Sequence, residues 1–90
     1  MGKVADSLHA KLVAALAPTH LDIVDDSARH AGHAGAGAAG ESHFNIAIVS
    51  GAFEGLNRVQ RQRLVYAAVA EELAGPVHAL SVKANTPAEA

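Results

Sequence analysis

Apolar residues recur at three- and four-residue steps near the start of the chain, where Val4, Leu8, Leu12 and Leu16 run with Val13 beside them. That spacing draws one stripe along a helix and predicts a helix over residues 4–17. Pro18 closes it, because the residue before a proline is pushed out of helical geometry. The period then changes from helical to alternating. In HLDIVDD, Leu21 and Ile23 fall on one face and Asp22, Val24 and Asp26 on the other; in HFNIAIVS, Phe44, Ile46 and Ile48 oppose Asn45, Ala47 and Val49. Alternation of this kind predicts two half-buried strands.

The helical period returns after GAFEGLN, whose glycines mark a turn. Asn57 is the expected N-cap of a helix over 58–74, and Gly75 and Pro76 its stop. Val59, Val65, Tyr66, Val69, Ala70 and Leu73 share one broad arc of that helix, its expected core face, with Gln62 inside the arc. Glu71 and Glu72 read as a solvated flank. VHALSVKA predicts a third strand, and NTPAEA, residues 85–90, a frayed tail.

The order α-β-β-α-β in 90 residues predicts a single α+β domain, a three-stranded mixed sheet covered on one face by two helices. The second helix, about 25 Å long, can run back along a strand of about 26 Å, so the third strand should lie parallel to the second. Val77 and His78 then begin their strand at the end of the sheet where His43 and Phe44 begin theirs. The same end carries residues 27–42, a linker longer than ordinary hairpin loops and expected to be flexible, with Gly32, Gly35, Gly37 and Gly40 in it.

His30 and His33 lie in this linker and His43 at its close, so the predicted topology gathers them with His78. Imidazoles gathered at one place suggest iron, zinc or copper. The spacing HAGH is generic, and taken singly these histidines are more simply solvated loop residues at His30 and His33, a strand-edge residue at His43 and a backbone-bonded histidine at His78. Convergence is what favours a metal, with Asp25, Asp26 and Glu41 available to orient the rings.

Composition narrows the chemistry. Without cysteine the chain supplies no disulfide, thiol nucleophile or thiolate ligand, and its composition is compatible with a cytoplasmic location. Asp6, His9 and Lys11 interrupt the first apolar stretch, which excludes a signal or membrane segment there. A formal charge of −2 gives no global attraction for nucleic acid, and Arg61 and Arg63 project to opposite flanks of their helix. With no nucleophile elbow, phosphate loop or dinucleotide fingerprint, a binding protein is expected rather than an enzyme.

FEGLNRVQRQRLVYAAVAEELAGPVHALSVKANTP, together with DDSARHAGH and SHFNIAIVS, resembles the BolA family from the first helix to Pro87. The combination of Phe53 and Gly55, Arg61 and Arg63, and VHALS carries the likeness. The resemblance implies a class II KH-like fold and partnership with a monothiol glutaredoxin. In such a pair a [2Fe-2S] cluster is bridged: the glutaredoxin cysteine and glutathione hold one iron, and the BolA-like chain offers its third-strand histidine and a loop residue to the other. By resemblance these are His78 and His30, with His33 as the alternative and His43 nearby. Alone, the protein is expected to be a monomer or weak homodimer without a cofactor. The family also implies a DNA-binding regulator, for which Arg58, Arg61 and Arg63 are the candidate phosphate contacts. Where the family carries histidine between its two arginines this chain has Gln62, expected to keep a structural hydrogen bond.

Overall fold

The computed structural model describes residues 2–25 and 43–90. Helix α1 (Lys3–Leu16) leads into strand β1 (His20–Asp25), and the chain re-enters at β2 (His43–Val49). A 3-10 turn at Gly51–Phe53 follows, then helices α2 (Arg58–Ala68) and α3 (Ala70–Ala74) and strand β3 (Ala79–Asn85). The described strands form one sheet in the order β1-β2-β3, with β1 antiparallel and β3 parallel to the central β2. The α+β architecture and its parallel crossover are those expected from the sequence pattern.

Alternation sorts the sheet into two faces. Phe44, Ile46 and Ile48 of β2 are buried beneath the helices, and Leu21, Ile23, Leu80, Val82 and Ala84 pack around them. From α1 come Ala5, Leu8, Leu12 and Leu16, at the three- and four-residue spacing that keeps one face inward. Val13 lies about 100° around the helix from Leu12 and is 43% exposed, so it does not join the stripe.

The crossover helix departs from expectation in two ways. Val69, at φ −118° and ψ 29°, divides it into α2 and α3, although hydrogen bonds from Val69 N–H to Val65 O and from Leu73 N–H to Val69 O continue on either side. Its buried seam is also narrower than the predicted arc: Val65 and Val69 are fully buried, whereas Val59 and Tyr66 are exposed. Arg61 and Glu72 occupy the seam on either side of these valines, since positions four before and seven after Val65 return to the same face. Glu72 is therefore not a solvated flank. It is 8% exposed, and its carboxylate meets Lys11 Nζ of α1 at 2.8 Å. The two neighbouring carboxylates, Glu72 first and then Glu71, hold the Lys11 ammonium above its ordinary pKa.

Residues 86–90, expected to fray, are anchored. Thr86 is buried, Glu89 N–H donates to Thr86 O at 3.0 Å, and the Glu89 carboxylate accepts from Thr86 N–H at 2.7 Å. The Glu89 carboxylate thus makes the glutamate half of a capping box, while its N–H closes a turn on the Thr86 carbonyl, within the Thr-x-x-Glu sequence TPAE. Asn57 and Gln60 form a full capping box at the head of α2, with both bonds at 2.9 Å.

Candidate functional site

The register pairs His43 with Ala79, so the first rung of the parallel β2–β3 ladder lies next to His78. His78 precedes β3 by one residue and is exposed, while its neighbour Val77 is buried and donates its N–H to Glu72 O at 2.9 Å. The sequence pattern had placed residues 77 and 78 inside the strand. The buried valine and the ladder instead hold the backbone on both sides of His78 and leave its imidazole in solvent.

His43 opens the central strand and is half-buried, on the side of the sheet away from the helices. It is not on an edge strand. The His43 and His78 rings lie with centroids 6.3 Å apart and planes inclined by 20°. Among the described residues no group of three or more His, Cys, Asp or Glu side chains is placed to hold a metal, so this end offers a pair of imidazoles. No hydrogen bond from a described residue occupies the His78 nitrogens. These described side chains are too few to hold a metal by themselves.

His30 and His33 lie outside the described residues, as do Asp26 and Glu41. What the fold fixes is where their segment attaches: Asp25 pairs with Phe44, so the chain leaves β1 and enters β2 at the histidine end.

The arginines are at the other end. Arg61 donates from Nε to Leu56 O at 2.9 Å and from Nη1 to Ala84 O at 3.1 Å, and grips Glu89 at 2.6 Å. Arg58 shares with it a cleft of about 470 Å³ between α2 and β3, also lined by Gln62 and Lys83; Arg63 is exposed and not part of the cleft. The Gln62 side chain makes no hydrogen bond among the described residues, against the expected structural role. Because Asn85 O turns toward β2 to accept from Ser50 N–H, Leu80 O and Ala84 O point outward, where Tyr66 and Arg61 donate to them. The outer edge of β3 is thereby closed by α2 side chains.

A three-stranded mixed sheet with helices on one face and a histidine just ahead of the parallel strand defines a small α+β domain. The chain matches the profile of the BolA-like protein family over residues 12–89 and belongs to that family. It is 48% identical over 89 residues to human BolA-like protein 1, covering 99% of this chain and 62% of the relative. The chain thus spans about three fifths of the length of that relative. It is 45% identical over 93 residues to SufE-like protein 1, chloroplastic/mitochondrial, of Arabidopsis thaliana, covering 99% of this chain and 25% of that protein. The solved BolA domain of SufE1 from that plant superposes with a TM-score of 0.90 at 43% identity, covering 100% of this chain and 99% of the domain. The DNA-binding transcriptional regulator BolA of Escherichia coli K12 is 40% identical over 83 residues, 92% of this chain and 75% of that protein.

The cytoplasmic location expected from composition is overturned by the chloroplastic/mitochondrial relative. Charge and cysteine content describe a folded domain and carry no address. Among the described residues no helix is long and apolar enough to cross a membrane.

Proposed function

We propose that this chain pairs with a monothiol glutaredoxin and supplies His78 and a loop histidine, His30 with His33 as its alternative, to one iron of a bridged [2Fe-2S] cluster. The glutaredoxin cysteine and glutathione hold the other iron. The exposed His78 imidazole carries this assignment: it is backbone-anchored, unoccupied by any hydrogen bond from a described residue, and placed where the 26–42 segment attaches. The absence of cysteine supports it, since the chain must borrow sulfur ligands. Two imidazoles on one iron are neutral ligands and raise the cluster's potential relative to thiolates.

Mixing the chain with a monothiol glutaredoxin, iron, sulfide and glutathione tests the assignment. A heterodimer with visible absorption and circular dichroism is expected, with the spectrum altered by His78→Ala and by the His30→Ala/His33→Ala double variant. Spectra unchanged by both would remove the assignment.

A second function, DNA binding through a KH-like surface, draws on the name of the bacterial relative and on the exposed Arg58 and Arg63. Arg61 contributes less to it, because its guanidinium is engaged by Glu89 and two carbonyls. Binding of promoter fragments that falls steeply with salt is the expected signature; no binding at micromolar protein would discard it.

A further inference from the structure

His78 has a well-held backbone and a free-standing side chain. Val77 is fixed in the core on one side and Ala79 in the ladder on the other, yet no described residue hydrogen-bonds the imidazole. An exposed side chain that must adopt one rotamer to ligate a metal loses conformational entropy on doing so. The ring of His43 is the one feature among the described residues set to reduce that loss. It starts the central strand, is half-buried, and lies nearly parallel to His78 at a centroid distance of 6.3 Å. Offset aromatic pairs occupy separations of about 4.5–7 Å.

We propose that His43 is a positioning residue for His78, its ring fixing the plane in which His78 presents its imidazole to the shared metal centre. The proposal rests on His78 being a ligand, and assigns His43 a role without making it one. His43 is opposite Ala79, so the ladder fixes its backbone beside the start of β3. Ligating histidines are commonly oriented by a neighbour that does not itself touch the metal.

Two variants separate the ring from its nitrogens. His43→Ala removes the neighbour; His43→Phe keeps a flat ring and removes hydrogen bonding and ligation. In the protein without partner, NMR should show the His78 ring protons shifted and its side-chain rotamers averaged in His43→Ala, but close to the parent in His43→Phe. In the cluster-loaded heterodimer under chelator challenge, His43→Ala should lose cluster about tenfold faster than the parent and His43→Phe within about twofold of it. The proposal is overturned if His43→Ala matches the parent in both measurements. It is equally overturned if His43→Phe is as damaging as His43→Ala, since His43 would then act through its nitrogens. Should the parent heterodimer carry no cluster, the proposed function fails by itself, and the NMR comparison still decides whether His43 holds the His78 ring.

Discussion

The two ends of the parallel β2–β3 pair are built on opposite plans. Where the strands finish, polar groups are answered from within the chain. Ser50 Oγ is fully buried, donates to Leu16 O at 2.6 Å and accepts from Ala52 N–H, while Ser50 N–H donates to Asn85 O. Arg61 and Glu89 bind the last residues of the chain over the same end, and Phe53 plugs it from below. Where the strands begin, His78 faces solvent, with the His43 ring its one ring neighbour among the described residues. The contrast separates roles: groups consumed by internal bonds hold the fold, and the exposed imidazole is the group that the proposed function assigns to a partner.

Removing Phe53 is the most severe challenge to the closed end. It is fully buried, so Phe53→Ala should cost about 3–5 kcal/mol. That is a large share of the about 5–15 kcal/mol typical of a domain, and urea unfolding should register it. FEG then reads as a core plug and turn, with Gly55 at φ 78° supplying the conformation that other residues resist. A smaller loss, about 1–3 kcal/mol, is expected for Ser50→Ala, which deprives Leu16 O and Ala52 N–H of their buried partner. An unchanged urea midpoint would show that water replaces the hydroxyl and that this end is looser than described.

The Arg61–Glu89 pair makes a pH-dependent contribution. The Arg61 guanidinium, then the Thr86 amide, hold the Glu89 carboxyl down at about 2, below its ordinary 4.5. A folded-state value below the unfolded one means stability that is present above the ordinary value and lost as pH falls through the folded one. Glu89→Gln should therefore lower the Tm near neutral pH, and the gap from the parent should close between pH 4.5 and about 2. A gap independent of pH would mean that Glu89 acts through packing alone.

At the open end the expected change in stability is the smallest. His78→Ala removes an exposed side chain with no hydrogen bond from a described residue, so the urea midpoint should correspond to a change within about 0.5 kcal/mol. A loss comparable to that of Ser50→Ala would erase the contrast between the ends.

The sequence pattern resolves the face of each strand and the parallel crossover, because alternation and helix length are local properties with one global solution here. It mislocates what depends on long-range partners. Glu72 is polar, yet its position on the seam of the crossover helix becomes tolerable only because Lys11 arrives from α1. Val59 and Tyr66 are apolar and remain exposed, Tyr66 because its hydroxyl donates to Leu80 O at the outer edge of β3. The tail was partly legible: TPAE carries the Thr-x-x-Glu spacing of a capping box, of which the bond from Thr86 N–H to the Glu89 carboxylate forms. For the site, convergence of His43 and His78 followed from topology, but the parallel setting of their rings depends on side-chain placement that periodicity does not encode.

The central claim is that His78 is held for a metal centre shared with another protein. The most direct test is visible circular dichroism of the glutaredoxin heterodimer loaded with iron and sulfide, parent against His78→Ala, at equal protein and glutathione concentrations. The account predicts a cluster spectrum in the parent that is lost or converted to that of a glutaredoxin-only species in the variant, with folding intact. Superimposable spectra would contradict it.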